Sequence, residues 1–224
     1  MLSIVSTPIG NLGDITLRAL ETLKKCDGIV CEDTRVAGHL LQLLSLPKKQ
    51  LISLHGYSGS GKVDHILRSL EAGQHLCLVS DAGTPCISDP GYALVSKVRE
   101  ANLPLEVIPG PSAFLAALSA SGLPIHTFSY LGFLPIKKGR QTLLKSLISE
   151  EKTIVFYESP HRILKTLSEF AHILADQPTR RIVIARELTK LHEEIIATTI
   201  GELEEMAKKL TVKGEFVLVL EGNS

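Results

Sequence analysis

Acidic and basic side chains recur directly after short apolar runs that are typical of β-strands. The segment after the second such run is Glu32-Asp33-Thr34-Arg35, and the segment after the fourth run contains Asp81. A carboxylate can accept a proton or a hydrogen bond and a guanidinium can hold an anionic group, so these segments can build a polar site. Carboxylates in the first turn of a helix also stabilise the helix dipole, so a structural role for Glu32 and Asp33 stays open.

The segment after the fourth run, residues 80–91, is longer than a minimal link between a strand and a helix. It contains two glycines, two prolines and the acids Asp81 and Asp89. Long ordered loops are usually functional. Pro90 suits the first turn of the next helix with Asp89 as its N-cap, so we predict a structural role for Asp89 and a functional one for Asp81.

Two further segments of the first half bring small residues to the ends of strands. Residues 7–14 contain Gly10 and Gly13, which allow the backbone to lie close to a ligand. A plain turn with Asp14 as helix cap is the alternative, and the third glycine of a dinucleotide-binding fingerprint is missing. Residues 109–113 lead into a helix N-terminus, whose N–H groups can bind a carboxylate or a ribose.

The second half repeats this arrangement at residues 158–162, 186–190 and 213–215. A helix cap or a surface ion pair explains any one of these segments alone. Their recurrence after strands in both halves favours a functional site.

One motif imitates a phosphate-binding loop. Gly56–Lys62 fits the first seven positions of G-x-x-x-x-G-K-[ST], but Val63 stands where the magnesium-binding hydroxyl residue belongs. We therefore predict that this segment is a Gly/Ser tip that does not bind nucleotide phosphates.

The composition excludes several classes of protein. The 224 residues carry 24 basic and 24 acidic side chains, so any contact with RNA must come from a local basic cluster. The four cysteines show no zinc-type spacing, which predicts no metal site and fits reduced thiols in a cytoplasmic protein. No apolar run reaches membrane-spanning length, and the first residues are typical of a strand, not of a signal peptide.

Apolar runs alternate with helical patterns along the whole chain, which predicts parallel strands with crossover helices. The predicted strands are Ser3–Ser6, Gly28–Cys31, Leu51–Leu54, Leu76–Val79 and Leu105–Ile108, then Phe128–Phe133, Thr153–Tyr157, Arg181–Arg186, Glu194–Thr199 and Phe216–Glu221. The predicted helices are Asp14–Cys26, Val36–Leu44, Val63–Ala72, Pro90–Ala101, Ser112–Ser121, Arg140–Ser149, Pro160–Ala175 and Ile200–Lys209.

A stop signal, Ser121-Gly122-Leu123-Pro124, separates the two halves. We place the domain boundary there, giving domains 1–122 and 123–224. The third and fourth strands of the second half follow each other without a helix, which predicts a mixed sheet. The fold class is therefore α/β with two αβα domains, a parallel sheet in the first and a mixed sheet in the second.

As a set, these motifs resemble the tetrapyrrole methylase superfamily, class III methyltransferases, and specifically its branch of ribosomal RNA small-subunit methyltransferases. The resemblance covers nearly the whole chain. It rests on residues 7–16, 31–35, 80–85 and 156–162, and it is extended by 109–113, 186–190 and 214–222. It implies an active-site cleft between two αβα domains, S-adenosylmethionine as cofactor, a cytoplasmic homodimer, and 2′-O-methylation of a cytidine in small-subunit (16S) ribosomal RNA.

The resemblance also implies roles for single residues. The implied cofactor contacts are Pro8, Asp81, Gly83, Thr84, Ser112, Ala113, Tyr157, Ala185 and Gly214. The implied RNA contacts, naked or in an assembled small subunit, are Asn11, Arg35, His161, Arg162, Arg186 and Lys190. The candidate general base is Glu158, with Glu32 and Asp33 as competitors. Lys137, Lys138 and Arg140 form either a basic edge or a solvated helix start.

Two alternatives and two departures stay open at this point. The chain can instead methylate a small macrocycle, which needs an apolar cleft, or act as a non-catalytic RNA-binding assembly factor, which need not bind the cofactor. The branch usually has a His/Glu-rich segment after the third strand where this chain keeps only His55, and many members continue beyond the position of Ser224.

Overall fold

The computed structural model describes residues 1–56 and 60–223 of the chain. They divide into two compact units, Met1–Ser112 and Ala113–Ser224. The predicted boundary after Gly122 lies one helix further along, because the helix Ala113–Ala120 packs against strands of the second unit. Among the described residues, no helix is long and apolar enough to cross a membrane.

The first unit is built on a sheet of five parallel strands. These are β1 (Leu2–Val5), β2 (Gly28–Cys31), β3 (Gln50–Ser53), β4 (Leu76–Leu78) and β5 (Leu105–Ile108), in the order β3-β2-β4-β1-β5. All five were predicted within one residue at each end, because strands covered on both faces are continuous apolar runs.

Helices cover both faces of this sheet, as the crossover connections of parallel strands require. On one face, α1 (Leu17–Lys25) and α2 (Thr34–Leu43) bury Leu23 and Leu41 against the strands. On the other, α3 (Ser60–Glu71) and α4 (Tyr92–Glu100) bury Ile66 and Leu94. The sheet is therefore the middle layer of three.

The caps predicted for two helices were wrong. Asp14 does not cap α1, because Leu12–Asp14 forms a turn of 3-10 helix and the Thr16 hydroxyl accepts the hydrogen bond from the Ala19 N–H at 3.0 Å. Asp89 does not cap α4, because that helix starts after Gly91, which makes no side-chain cap. In both cases a loop continues past the first plausible cap.

The second unit is built on a mixed sheet, as predicted. Its strands are β6 (Phe128–Phe133), β7 (Thr153–Glu158), β8 (Arg181–Arg186), β9 (Glu194–Thr199) and β10 (Phe216–Leu220), in the order β6-β7-β10-β8-β9. Only β6 and β7 pair in parallel among these neighbours; the others are antiparallel. The helices are α5 (Ala113–Ala120), α6 (Arg140–Ser146), α7 (Ile163–Ile173) and α8 (Leu203–Ala207).

Two layers of helices again enclose the sheet. Leu144 of α6, Phe170 of α7 and Leu203 of α8 are buried in one cluster with Phe156 and Leu218 of the strands. Helix α5 packs against β7 and β10. The predicted αβα architecture of each half is therefore confirmed.

The segment Gly56–Lys62, whose sequence imitates a phosphate-binding loop, lies only partly within the described residues. Tyr57, Ser58 and Gly59 lie outside the described residues, and α3 begins at Ser60. The prediction that Gly56–Lys62 binds no nucleotide therefore stays a prediction.

Candidate functional site

The strand order of the first sheet creates a place for a ligand between β1 and β4. These strands are neighbours, yet the loop after β1 leads to α1 on one face and the loop after β4 leads to α4 on the other. Such a switch point opens a crevice at the carboxyl ends of parallel strands, where ligands of open α/β sheets bind. Both loops stand out in the sequence by their Gly, Pro and acidic content.

Main-chain hydrogen bonds fasten these two loops to each other. The Thr7 N–H donates to the Gly83 carbonyl at 2.9 Å, and the Gly83 N–H donates to the Thr7 carbonyl at 3.1 Å. The Thr84 hydroxyl bonds the Pro111 carbonyl at 3.1 Å and the Ser6 hydroxyl at 3.0 Å, which joins the loop after β5 to the other two. These hydrogen bonds tie the loops after β1, β4 and β5 together at one edge of the sheet.

Acidic side chains from two neighbouring loops meet at the same edge. An Asp81 carboxylate oxygen accepts a hydrogen bond from the Asp33 N–H at 3.2 Å, and Asp81 is otherwise exposed. Asp33 caps α2 by accepting from the Arg35 N–H at 2.8 Å and also pairs with the Arg35 guanidinium at 2.5 Å. The hydrogen bonds from Arg35 hold the pKa of the Asp33 carboxyl well below its usual range. Asp33 is therefore a weak proton acceptor.

Asp89, which the sequence analysis assigned only to a helix cap, is a further candidate residue at this edge. Burial raises the pKa of its carboxyl to about 6, a hydrogen bond with Ser80 opposes that shift, and the charges of Glu32 and Asp81 add to it. A carboxyl that titrates near neutral pH beside two other acids is a feature of functional sites. In the sequence, only the unusual length of the segment 80–91 indicated a functional loop; nothing distinguished Asp89 from an ordinary helix cap.

In the second unit, Glu158 ends β7 and is completely buried, with 0% of its side chain exposed. One of its oxygens accepts a hydrogen bond from the Ser159 N–H at 2.8 Å and forms an ion pair with Arg162 at 2.6 Å. The other accepts from the Thr166 hydroxyl at 2.7 Å and lies 4.0 Å from Arg140. Glu158 is therefore the centre of a buried ionic cluster, and its lone pairs are occupied by protein donors.

The two arginines of this cluster extend it to the loop that follows β6. Arg162 donates to the Leu134 carbonyl at 2.9 Å and Arg140 donates to the Pro135 carbonyl at 3.1 Å. Arg140 also pairs with Glu169 at 2.6 Å. The buried carboxylate thus fixes two guanidinium groups, and these fix the backbone of residues 134–135.

A second ionic cluster surrounds Gly214. The Glu187 carboxylate accepts from Lys190 at 2.8 Å and from the Glu215 N–H at 3.0 Å, and Lys190 also pairs with Glu215 at 3.2 Å. Gly214 has a φ of +87°, and a Cβ there would collide with the Glu187 side chain. Glycine is therefore favoured at position 214 both by the backbone conformation and by the packing of Glu187.

The sequence profile of one protein family, described as Tetrapyrrole (Corrin/Porphyrin) Methylases, matches residues 1–204. The chain belongs to the tetrapyrrole methylase family. Within the family it is 48% identical, over 225 residues, to the protein named ribosomal RNA small subunit methyltransferase I from Escherichia coli O157:H7; the match covers 99% of this chain and 78% of that protein. The predicted superfamily and branch are therefore confirmed.

Solved structures of tetrapyrrole methylases share the fold. Cobalt precorrin-4 methyltransferase, a cobalamin biosynthetic enzyme, superposes with a TM-score of 0.72 at 19% identity, covering 98% of this chain and 94% of that one. Uroporphyrin-III C-methyltransferase from Thermus thermophilus, complexed with S-adenyl homocysteine, gives 0.66 at 20% identity, covering 98% and 96%. At these identities the likeness concerns the fold alone.

The residues that the tetrapyrrole methylase resemblance implied for the cofactor come from several loops and strands. Asp81, Gly83 and Thr84 lie in the loop after β4, and buried Pro8 lies in the loop after β1. The remaining implied residues lie at or next to the start of α5, on β7 or β8, or before β10: Ser112, Ala113, Tyr157, Ala185 and Gly214. Their roles stay predictions.

The residues implied to contact RNA differ in how many hydrogen bonds and ion pairs their side chains already form within the protein. Arg35 and His161 are exposed, and Asn11 is exposed while its side chain accepts from the Gly13 N–H. Arg186 is buried and donates to Glu194 and to the carbonyls of Lys213 and His192. A phosphate contact by Arg186 would require those bonds to be exchanged, and it stays a prediction.

Proposed function

We propose that this chain transfers the methyl group of S-adenosylmethionine to the 2′-hydroxyl of a cytidine in small-subunit ribosomal RNA. The observation that carries the proposal is the 48% identity, along 99% of the chain, to a protein named ribosomal RNA small subunit methyltransferase I. The cofactor assignment is supported by a fold relative whose structure was solved with S-adenyl homocysteine, the product form of that cofactor.

Methyl transfer from a sulfonium is an in-line displacement in which the ribose oxygen attacks the methyl carbon and the thioether leaves. The protein supplies alignment, and it supplies a base because the ribose hydroxyl must lose its proton as the new bond forms. In our proposal the switch-point edge, with Pro8, Asp81, Gly83 and Thr84, binds the cofactor. The cofactor roles implied for Ser112, Ala113, Tyr157, Ala185 and Gly214 stay predictions.

For the general base we propose Glu32 ahead of Glu158 and Asp33. A base needs a lone pair within reach of the substrate proton. Glu158 is buried with both oxygens accepting protein hydrogen bonds, and Asp33 has a lowered pKa. Glu32 is half-buried and its side chain forms no hydrogen bond or ion pair with a described residue. We assign Glu158 the task of positioning Arg162 and Arg140.

We extend the proposal to assembly and location: a homodimer that works in the cytoplasm on RNA or on the assembled small subunit. All four cysteines are free thiols, as is usual for proteins of a reducing compartment. Sedimentation of the purified protein at micromolar concentration tests the dimer.

The decisive experiment is a map of ribose methylation in ribosomal RNA from cells with and without this gene. We expect one small-subunit cytidine to lose its 2′-O-methyl group in the deletion strain and to regain it on complementation. Purified protein with radiolabelled cofactor should label small subunits or their RNA and leave tetrapyrroles unlabelled. Labelling of a tetrapyrrole alone would instead support the macrocycle alternative, and absence of cofactor binding would support an assembly factor.

A further inference from the structure

An uninterrupted row of aromatic rings crosses the second unit and ends at an exposed edge. Phe114 lies 4.5 Å from Tyr130, Tyr130 lies 5.7 Å from Tyr157, and Tyr157 lies 5.4 Å from Phe133, between ring centroids. Phe128 extends the row beside Phe114 at 6.4 Å. The chain has only six phenylalanines, four tyrosines and no tryptophan, so half of its large aromatic rings stand in this row.

A β-bulge directs the last ring of this row toward solvent. The register between β6 and β7 shifts between Tyr130 and Phe133, and Gly132 within the shift has a φ of +61°. Without the bulge, alternation would place Phe133 on the face of Leu131, which packs against the buried core. The extra residue puts Phe133 on the face of Tyr157 instead, where it is 56% exposed.

The loop after Phe133 adds an apolar side chain and two free cations. Ile136 is 70% exposed, and Lys137 and Lys138 are exposed and form no ion pair with a described residue. The backbone under them is held by the buried ionic cluster, because Arg162 and Arg140 bind the carbonyls of Leu134 and Pro135. We call residues Phe133–Lys138 the aromatic–basic loop.

The charged side chains exposed on this loop have one sign. No Asp or Glu occurs between Glu106 and Glu150 in the sequence, and Lys137, Lys138 and Lys145 in that stretch are exposed, whereas Arg140 is buried and paired with Glu169. In a chain with zero formal net charge, this is the kind of local basic cluster that a polyanion requires. An exposed ring next to lysines is the combination with which proteins hold single-stranded nucleic acid, the ring stacking on a base and the lysines binding phosphates.

We propose that the aromatic–basic loop binds an unpaired nucleotide of the RNA substrate, with Phe133 stacked on the base and Lys137 and Lys138 on the flanking phosphates. The inference rests on the proposed RNA methyltransferase function and adds how the RNA is held. The other rings of the row, behind Phe133, and the two arginines beneath the loop fix the platform in advance, so little ordering is needed on binding.

The test measures RNA binding and cofactor binding of the full-length protein separately. The RNA is a fragment of the small-subunit RNA that the wild-type protein methylates. Phe133→Ala should weaken RNA binding about tenfold or more, because loss of base stacking has effects of that order. Phe133→Trp should retain wild-type affinity, whereas Phe133→Leu, which stays apolar but cannot stack, should behave like the alanine variant. Affinity for S-adenosylhomocysteine should not change in any of the three.

The lysines are tested by salt dependence. The double variant Lys137→Ala/Lys138→Ala should flatten the slope of log K against log salt by about 1.4, from two phosphate contacts at about 0.7 each. Lys152→Ala is the matched control, since Lys152 is exposed and precedes β7, at the end of that strand opposite to Glu158. The control should leave affinity and slope unchanged.

The outcomes separate the inference from the function it rests on. If the wild-type protein binds and methylates no RNA, the proposed function fails. If it methylates RNA while Phe133→Ala and the double lysine variant bind RNA like wild type, the inference is overturned and the function stands. If Phe133→Ala dissociates a dimer in sedimentation without changing RNA affinity per folded protomer, the loop is a contact between two copies, which also overturns the inference.

Discussion

At the residue scale, the structure separates carboxylates that are committed to the fold from those that are available for chemistry. Glu158 was predicted as the base with Glu32 and Asp33 as competitors, yet Glu158 and Asp33 are both paired with arginines. Glu32 follows the same strand as Asp33 and keeps its carboxylate unbonded among the described residues. Sequence alone could not make this distinction, because Arg140 and Thr166, two partners of Glu158, lie outside the motif that contains it.

Substitution of Glu32 should mainly reduce catalysis, whereas substitution of Glu158 should mainly reduce stability. Glu32→Gln should lower kcat by about 10²–10⁴-fold with cofactor and RNA still bound, because it removes the proposed base and little else. Glu158→Gln should lower the free energy of unfolding by about 3 kcal/mol, because it leaves Arg162 without its anion and removes one of the two anions beside buried Arg140. Single-turnover methylation and denaturant titration measure the two effects. If the Glu158→Gln protein has wild-type stability but a strongly reduced kcat, Glu158 and not Glu32 is the base.

Asp89 should make the stability of the protein depend on pH. Its pKa is raised to about 6 in the folded protein, so folding favours its protonated form. The resulting stabilisation is fully present below the unfolded pKa of about 3.9 and is lost as the pH rises through 6. Asp89→Asn should therefore have a Tm close to wild type at pH 4 and a higher Tm than wild type at pH 7.5. A difference in Tm that is the same at both pH values would show that Asp89 does not titrate in this range.

At the scale of elements, the positions of strands could be predicted far better than those of helix ends. All ten strands were predicted because each is a short run rich in apolar, β-branched or aromatic residues, visible without knowledge of the rest of the fold. The starts of α1 and α4 were missed because Thr16 and Gly91 are chosen by loop geometry and not by cap preference alone. The bulge at Gly132, which redirects Phe133, left no signal that the sequence analysis used.

The turn that precedes β10 gives a prediction at this scale. Gly214→Ala should destabilise the protein more than Gly73→Ala, although both glycines have φ near +90°. Gly73 has open space where the alanine methyl group would lie, so its replacement costs only the backbone strain, about 1–2 kcal/mol. At Gly214 the same methyl group would also collide with Glu187. Urea titration compares the two, and equal losses would mean that Glu187 moves aside freely.

At the scale of the whole molecule, the family assignment predicts cofactor binding before any RNA is present. S-adenosylmethionine or S-adenosylhomocysteine should bind with micromolar affinity, about −8 kcal/mol. Asp81→Ala should weaken that affinity by about 0.5–3 kcal/mol, because a polar contact to the ligand is lost. Glu71→Ala, an exposed acid on α3, is the control. Calorimetry that detects no heat at millimolar cofactor would contradict the proposed activity itself.

The strand orders also dictate when each unit can fold during synthesis. β1 pairs with β4 and β5, so Leu2 cannot form its strand pairs until Leu76 and Leu105 have been synthesised. In the second unit, β10 is the last of the five described strands along the chain, yet it lies between β7 and β8. Until it emerges, β7 and β8 each present an unpaired edge, which is a template for aggregation. If synthesis stops after Leu210, the second sheet of the released chain lacks its central strand, β10. Such fragments should be captured by chaperones or degraded.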